Sequence, residues 1–593
     1  MKANTQYDQL YKIRHSTEHV LMQAMKDLGY QFLMASGPAT DDGFYFDFEL
    51  IEGHLAEEDF PKIEARMNEI VSMDLPITME ELTQEKAREL FSTNPYKQEW
   101  LDDITSRNEK ITVYWTGTPN SVQSFVDLCK GPHVDSTKDI GAFKLLSVAG
   151  AYWKGHEKNK MLTRIYGTAF ETQEQLDTYL KEVELRKEND HRILGQKYDL
   201  FTFSDLVGKG FVMFTPNGTI VKNELKNALF KISRKYGVQE VNIPHMAKLE
   251  LYKKSGHADK FSDELFKVTS HYDEEFVLKP VNCPHHTQIY ASRPRSYRDL
   301  PIRYIESTQQ HRDEKPGAMS GLNRTRSFEV DDGHTFCTPE QIKQEAINTI
   351  KIIEEFYTIL GMWGKQWVSL SFRDPNTPEK YIGEVKDWDI AENMLKEIND
   401  ELQLDAKMME GEAALYGPKI DFMLKDALGN DRQLGTVQLD FAMPARFGLT
   451  YVAEDGTEKT PVMLHRAILG SYNRFMASLL ESTGGAFPLW LSPVQVTIIP
   501  ISDKSYDYAK QIAQTLFDAE IRYEIDNKDE TMGNKIRKAQ EMKIPYMIIV
   551  GEKEMAANTI SIRNREGKQE NGVQLASFTT WLKDNIISKS QVL

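Results

Sequence analysis

The chain has 593 residues, 40% apolar and 27% charged, with a formal net charge of −17. That length implies three or four domains of ordinary water-soluble composition. Its longest apolar runs, such as Val496 to Pro500 and Tyr546 to Val550, are strand-sized and exclude a bilayer-spanning helix.

The first twenty residues are polar and mixed in charge, with no secretory pattern. Three cysteines, Cys129, Cys283 and Cys337, argue against a disulfide framework and for a reducing cytoplasm. Residues 1 to about 170 mix helical and strand patterns. Within them His15-Ser-Thr-Glu-His19 spaces two imidazoles i, i+4 on one helical face. Asp127-Leu-Cys129-Lys-Gly-Pro-His133 repeats that spacing, though Gly131-Pro132 favours a loop. Residues 171–197 are charged and helical in period, which predicts a connecting helix.

Residues 198–490 are strand-rich with islands of unusual composition. Cys283, His334 and His465 lie 51 and 131 residues apart, a spacing that matches no zinc finger. One thiolate and two imidazoles form a three-ligand zinc set with an open fourth position. The alternative is a buried cysteine and two hydrogen-bonded histidines, with His285 and His286 as rival ligands. Between the first two lies segment 292–326, with eight Lys/Arg against four acids. Arg312 and Arg324 suit a forked clamp on phosphate, Glu314 can accept from an exocyclic amine, and Phe328 offers a stacking face. The competing reading is a solvated hairpin.

The prolines of Phe487-Pro-Leu-Trp-Leu-Ser-Pro493 mark a boundary. After it, residues 491–593 alternate strand and helix, which predicts a small α/β domain with a mostly parallel sheet. This block carries 14 Lys/Arg and 14 Asp/Glu, so the acidity lies elsewhere and an anionic partner stays open.

Several of these segments resemble one known family. The Arg312–Phe328 hairpin resembles motif 2 of class II aminoacyl-tRNA synthetases, Ile468-Leu-Gly-Ser-Tyr-Asn-Arg474-Phe resembles motif 3, and Val241-Asn-Ile-Pro244 resembles motif 1, a dimer element. With Cys283, His334 and His465 the resemblance narrows to the bacterial-type threonyl-tRNA synthetases, from about residue 11 to the C-terminus. It implies an α+β multidomain chain: an α+β editing domain (1–170), a linker helix (171–197), an antiparallel-sheet catalytic core (198–490) and an α/β anticodon-binding domain (491–593). It implies ATP with Mg2+, L-threonine, threonine tRNA, one Zn2+ per subunit, a cytoplasmic homodimer and no membrane.

Residue by residue, the resemblance gives Arg312 the α-phosphate, Arg324 the tail phosphates and Glu314 the adenine. Phe328 and Arg474 sandwich the ring, and Arg474 also meets the γ-phosphate. Asp332 accepts the threonine hydroxyl, Tyr416 approaches the amino group, Lys419 and Gln438 belong to the same site, and His257 serves transfer to the ribose. His15, His19, Asp127, Cys129 and His133 form a site that removes serine, read either as a metal-free, water-handling pocket or as a second zinc site. Asp529, Glu554 and Arg563 fall at anticodon contacts, with Lys535, Arg537 and Lys538 near phosphates.

Zinc answers a selection problem. Valine is nearly isosteric with threonine but lacks the hydroxyl, whereas serine lacks only a methyl and calls for a second, hydrolytic site. Departures from the family pattern are His285, Val330, Ala258 and His156, and the small N-terminal domain of bacterial members is expected to be absent. The competing expectations are a non-catalytic RNA-binding relative and a ligase for another amino acid.

Overall fold

In the N-terminal region the strand Phe44–Leu50 turns Phe44, Phe46 and Phe48 inward, as its period-2 pattern dictates. Burying each ring contributes roughly 1.5–3 kcal/mol. The computed structural model describes residues 9–590, apart from 41, 122, 123, 157, 261 and 427–429. Contacts divide it into two units, 1–184 and 185–593.

In the first unit an antiparallel sheet runs in the order Phe32–Ser36, Phe44–Leu50, Met161–Phe170, Ala142–Tyr152. The helix Gln9–Asp27 is buried from Ile13 to Met25, so His15, Ser16, Glu18 and His19 are forced inside. A second sheet of Ile77–Leu82, Ile111–Thr116 and Phe125–Leu128 delivers Asp127 on its last strand. Span 171–197 holds two helices rather than the predicted one, Gln173–Glu188 and His191–Lys197. Asp190 between them accepts from the Arg192 backbone N–H and starts the second helix as its N-cap.

The second unit is built on eight strands: Gln239–Glu240, Ile302–His311, Ser327–Cys337, Val462–Ala467, Asp431–Asp440, Lys419–Lys425, Trp367–Phe372 and Lys407–Glu410. Only the two end pairings are parallel. The helices Pro216–Lys235, Ile342–Thr358 and Tyr472–Thr483 share its apolar core, through Leu225, Ile350 and Phe475 among others. The other face carries a smaller apolar cluster that includes Tyr304, Phe336 and Met463, beside polar side chains such as His334 and His465.

Further along, Val496–Pro500, Tyr523–Ile525 and Tyr546–Val550 pair in parallel around two helices. The expected mostly parallel sheet is instead mixed, because Ile560–Asn564 and Gln569–Val573 add two antiparallel pairings. The connections before and within that pair are shorter than the roughly dozen residues a parallel crossover needs, even though the first holds the short helix Glu552–Ala557. Among the described residues no helix is long and apolar enough to cross a membrane.

Candidate active site

Strand register brings the proposed metal residues together. His334 stands directly opposite His465 on paired antiparallel strands, and Gln438 flanks His465 on the other side. Cys283 opens the helix Cys283–Ala291, with Pro284 in its first turn, where a fixed φ is welcome. Their ligand atoms lie within 4.8 Å of one another, all buried.

The residues around the triad fit a metal. Asp440 Oδ2 lies 2.8 Å from His465 Nε2, which leaves Nδ1 as the ligand and backs it with a carboxylate. Burial, helped by His286 and His465, pushes the His334 imidazole well down, so it is neutral, as a ligand must be. Burial, Asp332 and Asp440 push the Cys283 thiol well up; a divalent cation among these donors reverses that balance. One sulfur and two imidazoles suit Zn2+. Of the rivals, His286 sits behind the set, its Nδ1 2.7 Å from His334 Nδ1. His285 is buried with neither ring nitrogen paired, and burial with Lys279 nearby lowers its pKa to about 4.

A cavity of about 270 Å³ joins this triad to the arginine hairpin. Its lining includes Arg312, Glu314, Arg324, Phe328 and Arg474 at one end, and Asp332, Tyr416, Gln438 and His257 at the other. Arg312 lies 5.4 Å from the centre of the Phe328 ring. Burial, then Arg432, Arg312 and Arg324, push the Arg474 guanidinium down, the mark of a cationic cluster short of anions. Arg324 and Glu314 are paired with each other at 2.7 Å. Arg324 is half exposed, so the pair is worth only about 0–1 kcal/mol and opens readily. Tyr416 stacks on His465 at 4.5 Å and donates to Gln438 Oε1 at 2.7 Å. His257 Nε2 lies 4.0 Å from Cys283 Sγ. Lys419 departs from expectation: it is ion-paired with Asp421 at 2.6 Å and is not among the residues that line the cavity.

Three contributors went unnoticed in the sequence. Gln310 and Thr436 line the cavity without belonging to any motif. Asp331 is fully buried and accepts from the Ile468 and Leu469 backbone N–H groups at 2.6 and 2.9 Å, which fixes where the Arg474 segment begins. Its adjacency to Asp332 was the only available signal, since neighbours on a strand face opposite ways.

In the N-terminal unit the ligand atoms of His15, His19, Cys129 and His133 also lie within 4.8 Å of one another. His15 Nδ1 donates to the Pro132 carbonyl at 3.0 Å, and its Nε2 lies 3.2 Å from Cys129 Sγ. Burial, His15 and Lys97 push His19 well down. Burial also lowers His15, but Cys129, Pro132 and Asp127 outweigh it and leave that pKa raised. Asp127 forms a buried ion pair with Lys97 at 2.7 Å. Lys97 had been passed over, because a lysine in the helix Pro95–Ser106 reads as a solvated side chain. Glu18 was missed too; it lies 3.2 Å from His15, and burial beside Asp127 raises its pKa well above the carboxylate range. The cavity here is about 580 Å³, and Arg107, Lys110 and Lys130 give it a basic edge.

The C-terminal candidates are less concentrated. Asp529 is exposed in a loop. Both Glu554 oxygens are engaged, by the Gly551 N–H and the Ser561 hydroxyl. Arg563 donates to Gln569 at 3.3 Å. The expected phosphate-facing cluster disperses: Lys535 is buried and donates to the Asp526 carbonyl, Arg537 pairs with Glu541, and Lys538 pairs with Glu530.

Comparison with known proteins agrees with this geometry. Residues 266–483 match the tRNA synthetase class II core domain (G, H, P, S and T), residues 495–585 an anticodon binding domain, and residues 111–166 the threonyl and alanyl tRNA synthetase second additional domain. A threonine–tRNA ligase of Rubrobacter xylanophilus is 44% identical over 582 residues, covering 98% of this chain and 89% of the relative. One of Streptococcus pyogenes is 44% identical over 581 residues, with 98% and 88% covered. The RNA binding domain of threonyl-tRNA synthetase from Cryptosporidium parvum superposes with a TM-score of 0.63 at 36% identity, over 68% of this chain and 99% of that one. The structure of a threonyl-tRNA synthetase from Aeropyrum pernix gives 0.60 at 26%, over 68% and 97%. With near-full-length identity of this order and three matched domains in sequence, the chain belongs to the threonine–tRNA ligase family of class II aminoacyl-tRNA synthetases.

Proposed function

We propose that the chain joins L-threonine to threonine tRNA through a threonyl-adenylate and hydrolyses serine misattached to that tRNA. The observation that carries this reading is the single cavity shared by Arg312, Arg324 and Arg474 with Cys283, His334 and His465. The threonine carboxylate attacks the α-phosphate, and pyrophosphate leaves. Arg312 and Arg474 are fixed where charge develops, so they need no reorganisation at the moment of reaction. Mg2+ arrives with ATP. Cys283, His334 and His465 would hold Zn2+, which would supply a Lewis acid for the threonine amino and hydroxyl groups. Asp332, Tyr416 and Gln438 line the same end of the cavity; Asp332 suits the threonine hydroxyl and Tyr416 the amino group. His257, beside Cys283, is placed for the later attack of the tRNA ribose on the adenylate carbonyl, with AMP leaving.

Editing falls to the N-terminal unit. Water attacks the seryl ester carbonyl, and the ribose oxygen leaves with a proton. Neutral His19 suits the base and His15, whose pKa is raised, the acid: two like groups pushed apart by their surroundings. We place the domain boundaries at 170/171, 197/198 and 490/491. The anticodon is assigned to Asp529, Glu554 and Arg563, and the working form is taken to be a cytoplasmic homodimer.

The test is amino-acid-dependent ATP–pyrophosphate exchange on metal-replete protein. Threonine should exchange strongly, serine roughly 10–200-fold less well, and valine at background. Absence of exchange with all three would turn the chain into a non-catalytic RNA-binding relative.

A further inference from the structure

We infer that His191 is a positioning residue for ATP, its ring bracing the loop that carries Arg324 against the helix that carries Arg474. The inference rests on the proposed reading of those arginines as the phosphate site.

His191 opens the helix His191–Lys197 and is 2% exposed. Its Nδ1 donates to Glu481 Oε1 at 2.6 Å, and its Nε2 accepts the Leu322 backbone N–H at 3.0 Å. Only the tautomer protonated at Nδ1 satisfies both. Each partner leads to a different arginine. Leu322 is buried on the wall of the cavity, two residues before Arg324. Glu481 lies on the helix Tyr472–Thr483, seven residues after Arg474 and therefore on the same face.

Two weaker links run alongside. Arg474 Nε donates to the Asn323 carbonyl at 3.4 Å, and Asn473 Nδ2 to Thr325 Oγ1 at 3.3 Å. The His191 bridge is the shortest of the three. The loop is shaped to receive it: Gly321 has φ +48°, and a Cβ there would sit 2.3 Å from His191 Nε2. Without His191 the buried Leu322 N–H loses its acceptor, a larger penalty than the bond itself is worth. The loop then spends less time in the arrangement that holds Arg324 over the cavity, and apparent ATP affinity falls by that fraction.

Two conservative variants separate the bridge into its halves. In His191→Asn the amide nitrogen stands near Nδ1 and keeps Glu481, but nothing reaches Leu322. In His191→Gln the amide oxygen stands near Nε2 and restores the acceptor. In pyrophosphate exchange with full-length, metal-replete enzyme, His191→Asn should raise the KM for ATP about tenfold and leave the threonine KM within about twofold. His191→Gln should recover to within about threefold of the parent. Equal ATP KM values in the two variants overturn the inference. So does a parallel loss in kcat, both KM values and melting temperature, which marks a merely structural role. The Asn and Gln pair carries the comparison without His191→Ala, which empties the buried ring site and confounds folding with function. Arg474→Ala separates the inference from its premise: an unchanged ATP KM there removes the phosphate site itself, whereas a raised one beside a normal His191→Asn removes only the brace.

Discussion

Two Cys/His clusters in this chain use almost the same side chains under different electrostatic conditions. Around Cys283, His334 and His465 the surroundings are anionic: Asp440 holds His465, and burial, then Asp332 and Asp440, push the thiol up. Around Cys129 they are closer to neutral. His15 leans on the Pro132 carbonyl, His133 on the Ser16 hydroxyl, and the nearby Asp127 is cancelled by Lys97. The first arrangement welcomes a cation. The second sets imidazole pKa values apart and suits proton transfer to and from water. Ligand identity alone therefore does not decide between metal and proton chemistry; the carboxylates behind the ligands do.

Breaking the first cluster should have the largest effect. Cys283→Ala removes one of three ligands, so bound zinc, read by metal analysis, and threonine-dependent exchange should both fall to background. Retained exchange would sink the metal assignment. Next comes Lys97→Met, which leaves Asp127 buried and unpaired at a cost of about 3–5 kcal/mol. Thermal melting should show that loss as an early transition, and misacylated seryl-tRNA should accumulate while charging persists.

Asp440→Asn sharpens the contrast at smaller scale. It takes the carboxylate from behind His465 and should weaken zinc about 10–100-fold in competition with a chelator. The same exchange at Asp127 should leave metal content untouched. Acid separates the clusters further. His19 and His133 are held below their ordinary value of 6.5 in the fold. As pH falls through that value the unfolded chain takes up protons that the folded one refuses, so stability drops. His15, whose pKa is raised, works the other way: its contribution is full below 6.5 and fades as pH rises through its folded pKa. Glu18 on the same helix is raised too and also gains stability as pH falls, so the test is run in Glu18→Gln. There two groups well lowered outweigh one raised, and protection factors in the helix Gln9–Asp27, corrected for intrinsic exchange, should drop between pH 7 and 5. Unchanged protection there would refute the neutral-histidine assignment. The smallest effect belongs to Lys538→Ala. Loss of its surface pair with Glu530 should leave the melting temperature and tRNA affinity unaltered.

Much of the catalytic cavity was legible because its chemistry needs rare side chains in motif-like islands. Cys283, Arg312, Asp332 and Arg474 stand out against their neighbours, and the cavity lining includes them all. Asp440 and Lys97 did not stand out. Each works through one partner distant in sequence, His465 and Asp127, and that partnership leaves no local mark. Lys419 is the reverse case: its ion pair with Asp421 on the same strand could not be read from the motif around it. The strand–helix alternation expected after Pro493 holds through the first three C-terminal strands and the helices Tyr506–Asp518 and Met532–Glu541, since hydrophobic period reports them directly. Strand direction did not, because it depends on connection length and pairing partners rather than on period.

What the amino-acid sequence determined by itself was the inventory: which segments bury an apolar face, which carry thiol, imidazole and guanidinium, and in what order the blocks follow. Those are properties of side-chain chemistry and short-range periodicity, and they survive without knowledge of the fold. Only the tertiary structure decided which of fourteen histidines meet a sulfur and which of them carry a carboxylate behind the ring. Strand register sets His334 against His465 across 131 residues, and burial then changes what each donor can hold, because the free energy of a charge depends on its surroundings and not on its place in the chain.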